Sequence, residues 1–367
     1  MDAAALDSLH TTVLWAAFAV AVAFGFISQR THFCTMGALS DAFNFGDLNR
    51  LRMWVMAIGV AAIGFHALVW LGWIDAGAAL YTGPRVMWLS AVVGGLLFGF
   101  GMVLASGCGG KTLVRIGAGS LRALVVFVVM GVAAFMTLRG LFGVWRVNTV
   151  DRAVLEFDGA ATLAGWMGRA AGGDAGTLAA VALGLALIGW ALASRDFRTG
   201  NNLLAGAGVG LCIVAMWWVS GRLGFVAEHP ETLEAVYLGS TTGRMESLSF
   251  SAPMATTLDW LMFYSDRAKV LTFGVVTVVG VVVGSAVCAL WERSFRWEGL
   301  NGTRDTALHL VGGVCMGAGG VTALGCTVGQ GLSGLSTLSL MSAVAVAAIV
   351  AGAWLGFRFQ MWLLERE

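Results

Sequence analysis

The chain has 367 residues, of which 58% are hydrophobic and only 12% charged, and its mean hydropathy is +0.82. A soluble domain normally carries about a quarter charged residues, so this composition excludes an ordinary soluble protein. The formal net charge of +1, without any basic stripe, also gives no reason to expect a nucleic-acid partner. We therefore expect an all-α integral membrane protein embedded in a lipid bilayer, with a single membrane domain over residues 1–367.

Apolar segments of bilayer length recur along the whole chain. At about 20 residues per crossing, they predict about nine transmembrane helices. In chain order the segments are 13–28, 53–74, 87–106, 121–145, 178–194, 203–221, 270–291, 308–324 and 340–359.

The distribution of basic residues predicts how these helices are oriented. With nine crossings and an outer N-terminus, 13 of the 22 Lys and Arg residues fall on the inner side. Short inner loops are normally enriched in Lys and Arg. We therefore expect a multi-pass protein of the bacterial inner membrane, with its N-terminus outside and its C-terminus inside.

An internal repeat appears at a constant offset of 218 residues. The residues repeated at this offset are Gly94, Gly95, Gly99, Gly101, Ala105, Gly107 and Cys108, which return as Gly312, Gly313, Gly317, Gly319, Ala323, Gly325 and Cys326. By the predicted crossings the two copies leave the membrane on opposite faces, as in the inverted repeats of many transporters. We expect a first repeat over 13–146 and a second over 177–362, the latter with an extra span and a long loop. Cys108 and Cys326 should then approach each other near the midplane.

Glycine clusters surround both repeated cysteines, at 106–110 and 325–331. Glycine is unfavourable inside a helix and readily adopts positive φ, so these clusters predict short broken or re-entrant helices that dip in from both faces. Irregular backbone at membrane depth is tolerated only when it is buried or lines a cavity. In contrast, the spacing Gly95-x-x-x-Gly99, repeated at Gly313 and Gly317, is typical of close helix packing.

The six cysteines divide into two groups. None is part of a C-x-x-C motif, and the scattered histidines give no spacing typical of zinc, so we expect neither a redox pair nor a metal site. Cys212, Cys288 and Cys315 lie in uninterrupted apolar runs, where cysteine usually behaves as a small hydrophobe. Cys108 and Cys326 lie in glycine-rich breaks, and Cys34 follows the first span, where its repeat counterpart is Ala252.

Thiols beside helix breaks suit a sulfur-containing anion. Backbone N–H groups at a half-helix N-terminus attract an anion, and a thiol adds a weak, polarizable donor that suits soft sulfur. Conduction requires sites that bind only moderately, so such an anion could pass from one thiol to the next. No general base, paired carboxylate or cofactor motif accompanies the cysteines, and we therefore expect a transporter rather than an enzyme.

Three motifs resemble the YeeE/YedE sulfur-transport family: Arg-Thr-His-Phe-Cys at 30–34, Ser-Gly-Cys-Gly-Gly at 106–110 and Gly-Cys-Thr-Val-Gly at 325–329. The resemblance covers nearly the full chain. It implies an inverted-repeat fold, uptake of thiosulfate, and three cysteines along a central path, which fall on Cys34, Cys108 and Cys326. It also implies a small sulfur-carrier partner of the TusA type on the cytoplasmic side.

Neighbours of the cysteines are expected to support the path, and two readings remain open for several of them. Lys111 either raises the local positive potential or anchors the chain at the inner interface, and Gln330 either donates to the anion or forms an interhelical hydrogen bond. The supporting set is Gly107, Gly109, Gly110, Lys111, Gly325, Thr327, Gly329 and Gln330. Two alternative functions also remain: a membrane-embedded thiol enzyme that transfers sulfur or forms persulfides, and a selenium-compound transporter.

Overall fold

The structure is a computed structural model that describes residues 3–172, 174–230, 232–266 and 270–366. Helices make up 72% of the chain, which confirms the predicted all-α class. The fifteen α-helices of the described residues are α1 Ala3–Arg30, α2 Thr35–Ser40, α3 Asn49–Trp70, α4 Trp88–Leu104, α5 Gly109–Gly117, α6 Leu121–Arg139, α7 Leu141–Asn148, α8 Leu163–Ala171, α9 Ala175–Leu192, α10 Gly200–Leu203, α11 Val209–Trp218, α12 Ser251–Met262, α13 Phe273–Trp291, α14 Gly302–Thr322 and α15 Leu340–Leu364.

Eight helical stretches in the described chain are long and apolar enough to cross a membrane. They are Ala4–Phe45, Asn49–Trp70, Trp88–Gly117, Leu121–Arg139, Ala175–Leu192, Gly200–Leu223, Phe273–Trp291 and Leu340–Leu364. The ninth predicted segment, 308–324, corresponds to α14, which has 21 residues. Asp305, His309 and several glycines make α14 less apolar than the other eight helices.

Several helices are interrupted, as the glycine clusters predict. α4 ends at Leu104 and α5 begins at Gly109, so the first cluster separates two helices. After α14 the chain turns and enters a wide π-type helix at Gly329–Gly334, and similar π-type turns occur at Asp41–Phe45, Leu204–Gly208 and Val219–Leu223. The predicted span 121–145 is also shorter than expected, because extended backbone at Gly140 ends α6.

One group of closely packed helices consists of α4, α6, α14 and α15. Helix α4 packs against both α15 and α14, and α14 packs against α6. Gly95 and Gly99 of α4 allow the backbone of α15 to approach closely, and Gly317 of α14 does the same for α6 at Met130. These contacts agree with the small-residue packing that the G-x-x-x-G spacing predicts.

Replacing Gly99 by leucine is expected to lower the melting temperature sharply. A Cβ at this position would overlap the carbonyl oxygen of Ile349, so α4 and α15 must separate, and overpacking of this kind costs about 1–3 kcal/mol or more. Gly189→Leu in α9 is the matched control because no atom lies within 4 Å of its Cβ position. Equal melting temperatures of the two variants in detergent would contradict the packing described here.

Backbone conformation repeats at the offset found in the sequence. Helix α4 displaced by 218 residues falls within α14. Ser106 follows α4 with φ +54°, and its counterpart Leu324 follows α14 with φ +56°. Neither residue is glycine, so the same left-handed turn occurs at matching positions of the two copies.

Backbone pairing holds the segment that follows each broken helix. Leu121 N donates to Glu298 O at 2.9 Å on one side of the molecule. On the matching segment of the second copy, Leu340 N donates to Ala161 O and Leu163 N donates to Leu338 O, both at 3.0 Å. The long segment 146–176 is therefore hydrogen-bonded to the chain that follows the break at Cys326.

The two long predicted loops, 146–176 and 222–269, contain short elements. Antiparallel pairs join β1 Arg85–Val86 with β2 Leu155–Glu156, and β3 Phe225–Val226 with β4 Val236–Tyr237. Helix α8 lies in the first loop, and α12 begins within the second. Residues 173, 231 and 267–269 of these loops lie outside the described residues.

Candidate functional site

Three cysteines begin three short helical segments in the same way. Two positions before each cysteine, the backbone is in the left-handed region. These residues are His32 before Cys34, Ser106 before Cys108 and Leu324 before Cys326. Cys34 and Cys108 have extended backbone and directly precede α2 and α5, and Cys326 directly precedes the helical turn that leads into Gly329–Gly334. The chain thus reverses sharply and then presents a thiol at each break.

The thiol sulfurs lie against backbone amides of the helical turn that follows. Gly37 N donates to Cys34 Sγ at 3.4 Å, and Gly329 N donates to Cys326 Sγ at 3.4 Å. At Cys108 the amides of Gly110 and Lys111 face the sulfur without a hydrogen bond of normal geometry. The sulfurs of Cys34 and Cys326 therefore act as helix-capping acceptors, which leaves their S–H groups available as donors.

Cys108 lies near both of the other two thiols. It lines one small cavity together with Cys34, and it lies within electrostatic range of Cys326. The hydroxyl of Thr327 lies beside the Cys108 thiol and has no other partner among the described residues. The two repeated cysteine motifs thus meet in the interior.

A narrow apolar throat contains the first two thiols. Its cavity measures only ≈10 Å³, and Cys34, Cys108 and Lys111 line it together with Phe24, Phe33, Val114 and Val328. Cys108 and Cys326 are 3% and 0% exposed, whereas Cys34 is half-buried. The cavity that Cys34 and Cys108 share is therefore much smaller than the space beside Cys34.

A wide basic chamber adjoins the throat on the Cys34 side. It has a volume of ≈470 Å³, and Cys34 and Lys111 belong to both spaces. Its lining contains His32, Arg50, Lys111, Arg115 and Arg296 but only one carboxylate, Glu298. The chamber is therefore strongly positive.

A second cavity, the antechamber, lies next to Cys326 and has no basic residue in its lining. It has a volume of ≈140 Å³, and Gly325 and Leu324 line it together with six Ser and Thr side chains. Glu246 is the single charged residue in its lining. Ala252 and Leu324 here are the repeat counterparts of Cys34 and Ser106 in the basic chamber, so the two cavities occupy matching places in the two copies.

Tyr81 is a further polar group near the second break. Its phenol lies beside Cys326 and Ser249 and is only 7% exposed. Burial raises the pKa of Tyr81 well above its ordinary value, with Cys326 and Glu246 acting in the same direction. The phenol therefore stays protonated and can donate a hydrogen bond.

Gln330 braces the second break through its side-chain amide. Its Nε2 donates to Ala323 O at 2.6 Å, and its Oε1 accepts from Ser342 Oγ at 2.6 Å. Ala323 ends α14 and Ser342 belongs to α15, so one buried amide joins both helices to the segment that follows Cys326. Of the two roles considered for Gln330, these contacts favour the interhelical bond.

The remaining cysteines lie elsewhere in the bundle. Cys212, Cys288 and Cys315 belong to α11, α13 and α14, and all six cysteines are free thiols. A larger groove of ≈580 Å³ lies near the end of α15, but no cysteine lines it. Within the described chain, no group of three or more His, Cys, Asp or Glu side chains is arranged to hold a metal ion.

Sequence reasoning missed several residues that line the site. Arg50 comes from α3, Arg296 from the segment before α14, Tyr81 from the loop before α4, and Glu246 from the segment before α12. None of them belongs to a motif or to the repeat. Only the packing of distant segments brings them to the thiols.

The model of the sulphur transport family matches residues 30–355 of the chain. The chain belongs to this family. The match includes all three breaks and both cavities, and it agrees with the resemblance that the cysteine motifs carry.

The chain is also similar to proteins that are named as transporters. The chain is 28% identical over 342 residues to the thiosulfate transporter TsuA of Escherichia coli K12, covering 90% of each chain. It is 26% identical to the thiosulfate transporter TsuA of Spirochaeta thermophila, covering 97% of this chain and 100% of that one. A shorter match of 107 residues, at 36% identity, joins it to the probable transporter YedE of Salmonella typhimurium, covering 29% of this chain and 24% of that one.

Proposed function

We propose that this protein carries thiosulfate, or a closely related small sulfur anion, across the cell membrane along the three thiols. One observation supports the proposal: Cys34 and Cys108 line one small cavity that adjoins the basic chamber, and Thr327, the residue after Cys326, lies beside the Cys108 thiol. The names of the two full-length relatives support thiosulfate as the substrate.

The chemistry of the throat favours an anion with a soft sulfur end. Thiosulfate carries a terminal sulfur and a polar sulfonate group. A thiol S–H donates weakly to that sulfur, while the apolar walls formed by Phe24, Phe33 and Val328 offer little to hydrated oxygens. Each contact is weak, so no thiol holds the anion so firmly that it cannot move on.

The supporting residues maintain this series of thiols. Gly107, Gly109, Gly110, Gly325 and Gly329 lie at the breaks, where the backbone turns and helices approach closely. Thr327 lies beside Cys108 and hydrogen-bonds to the passing anion, and Lys111 supplies positive charge where the throat widens into the chamber.

The proposed orientation of the protein in the membrane follows from the charge distribution in the loops. We place the protein in the bacterial inner membrane with the N-terminus outside and the C-terminus inside. The end of α1 and the basic chamber then face the cytoplasm, and the antechamber beside Cys326 faces outward. The two halves, 13–146 and 177–362, form the inverted repeat, with α9 as the extra span. A TusA-like carrier protein would receive sulfur at the cytoplasmic face.

Proteoliposomes containing the intact chain are expected to accumulate sulfur-35-labelled thiosulfate, whereas empty liposomes are not. Unlabelled sulfite, sulfide and selenium analogues, tested as competitors, rank the substrates. Failure of thiosulfate uptake at verified incorporation would contradict the proposed substrate. Turnover of thiosulfate by the detergent-solubilised protein, without two compartments, would instead favour a thiol enzyme.

A further inference from the structure

The basic chamber has more positive charge than its own residues neutralise. Arg115 pairs with Glu298 at 3.7 Å, and Arg50 pairs with Asp41 at 3.4 Å. Lys111 and Arg296 have no carboxylate within ion-pair distance among the residues that the structure describes. Two unpaired cations therefore line one side of a cavity that is ≈470 Å³ in volume.

The chamber and the throat present different chemistry to an anion. The chamber is wide and cationic, so it attracts a dianion by charge without removing most of its water. The throat measures ≈10 Å³, and beyond Lys111 at its junction with the chamber it offers an anion only the two thiols, the hydroxyls of Ser28 and Thr35 and apolar side chains, so an anion that enters it loses hydration. The chamber therefore selects for the charge of the anion, and the throat selects for a soft sulfur atom.

The antechamber lacks this charge. Its lining carries no Lys or Arg, and its single ionisable side chain is the acidic Glu246. Because the two cavities occupy matching places in the repeat, the difference in charge lies in the side chains and not in the fold. Of these two cavities, only the chamber can therefore bind an anion by charge alone.

We propose that the basic chamber is a binding site for divalent oxyanions in general, separate from the thiols, so that inorganic sulfate binds there but is not carried through. This inference rests on the proposed function, because it assigns the recognition of soft sulfur to the throat. Cytoplasmic sulfate then competes with arriving thiosulfate for the chamber and slows transport from that face.

Calorimetric titration of sodium sulfate into the detergent-solubilised intact protein tests the site, with sodium chloride of equal ionic strength as the reference. We expect saturable sulfate binding that Arg296→Gln weakens about fivefold. Cys108→Ala should leave the affinity unchanged, and so should Arg358→Gln, because Arg358 lies over Trp354 outside the chamber. Sulfate binding no stronger than that of chloride, or binding lost with Cys108, would overturn the proposal.

A transport assay separates this inference from the proposed function. Labelled sulfate should not accumulate in proteoliposomes that accumulate labelled thiosulfate, and sulfate on the chamber side should slow thiosulfate flux. Sulfate carried as fast as thiosulfate overturns the inference while the protein remains a transporter. If neither ion is carried but saturable sulfate binding persists, the chamber assignment stands and the thiosulfate proposal fails.

Discussion

Cys108→Ala is expected to reduce thiosulfate uptake by about 10- to 100-fold while the protein still folds and inserts. Cys108 lies near both of the other thiols, so its loss removes the donor that joins them on the proposed path. A hydrogen bond to a charged group contributes about 1.5–3 kcal/mol, and losing it at the narrowest point raises the barrier by a similar amount. Uptake of labelled thiosulfate into proteoliposomes at equal incorporation measures the effect.

Cys212→Ala is the matched control for this variant. Cys212 is also a buried free thiol within a membrane-spanning helix, but it lies in α11 away from the throat. Its replacement should leave uptake unchanged. An equal loss in both variants would indicate a general packing defect, and normal uptake by Cys108→Ala would contradict the thiol path.

Gln330→Leu is expected to impair both stability and uptake. The substitution leaves Ala323 O and the Ser342 hydroxyl without their partner in a fully buried place. Each unsatisfied buried polar group costs about 1–3 kcal/mol. The segment that presents Cys326 is joined to α14 and α15 through this amide, so it should also shift.

Gln360→Leu provides a comparison with the same chemical change. Gln360 Nε2 donates to Val103 O at 3.1 Å, but this residue is only half-buried near the end of α15. Its replacement should lower the melting temperature less and leave uptake intact. If the melting temperature and the uptake of Gln330→Leu equal those of the wild-type protein, Gln330 does not hold the segment after Cys326 in place.

Much of the fold was predictable because clusters of glycine interrupt helices locally. The clusters around Cys108 and Cys326 predicted helix breaks, and both helices end within a few residues of the expected positions. The repeat predicted that these two motifs would meet, and the contact between Cys108 and Thr327 agrees with it.

The break at Cys34 illustrates what the sequence could not reveal. His32 adopts φ +53° without being glycine, and Cys34 has only Ala252 as its repeat counterpart. Its geometry nevertheless matches that of the two repeated cysteines. Histidine adopts positive φ more often than most residues do, but one histidine without a glycine cluster is too weak a signal to predict the turn.

The charge of the chamber could not be predicted for a different reason. Arg50, Lys111 and Arg296 come from three separate parts of the chain and converge only in the folded bundle. In the sequence each of them resembles an ordinary interfacial anchor. The absence of Lys and Arg from the lining of the antechamber could not be predicted from the sequence either, because the charge of a loop does not tell which of its side chains line a cavity.

Protection of Cys34 from alkylation tests the thiol path most directly. Cys212, Cys288 and Cys315 are first replaced by alanine, and a membrane-impermeant thiol reagent is then applied from the chamber side. We expect Cys34 to react first, because it is half-buried beside the open chamber, and we expect thiosulfate to slow its labelling. Sulfate should slow labelling less than thiosulfate does. Labelling of Cys34 at the same rate with and without thiosulfate, in protein that transports thiosulfate, would contradict passage along the thiols.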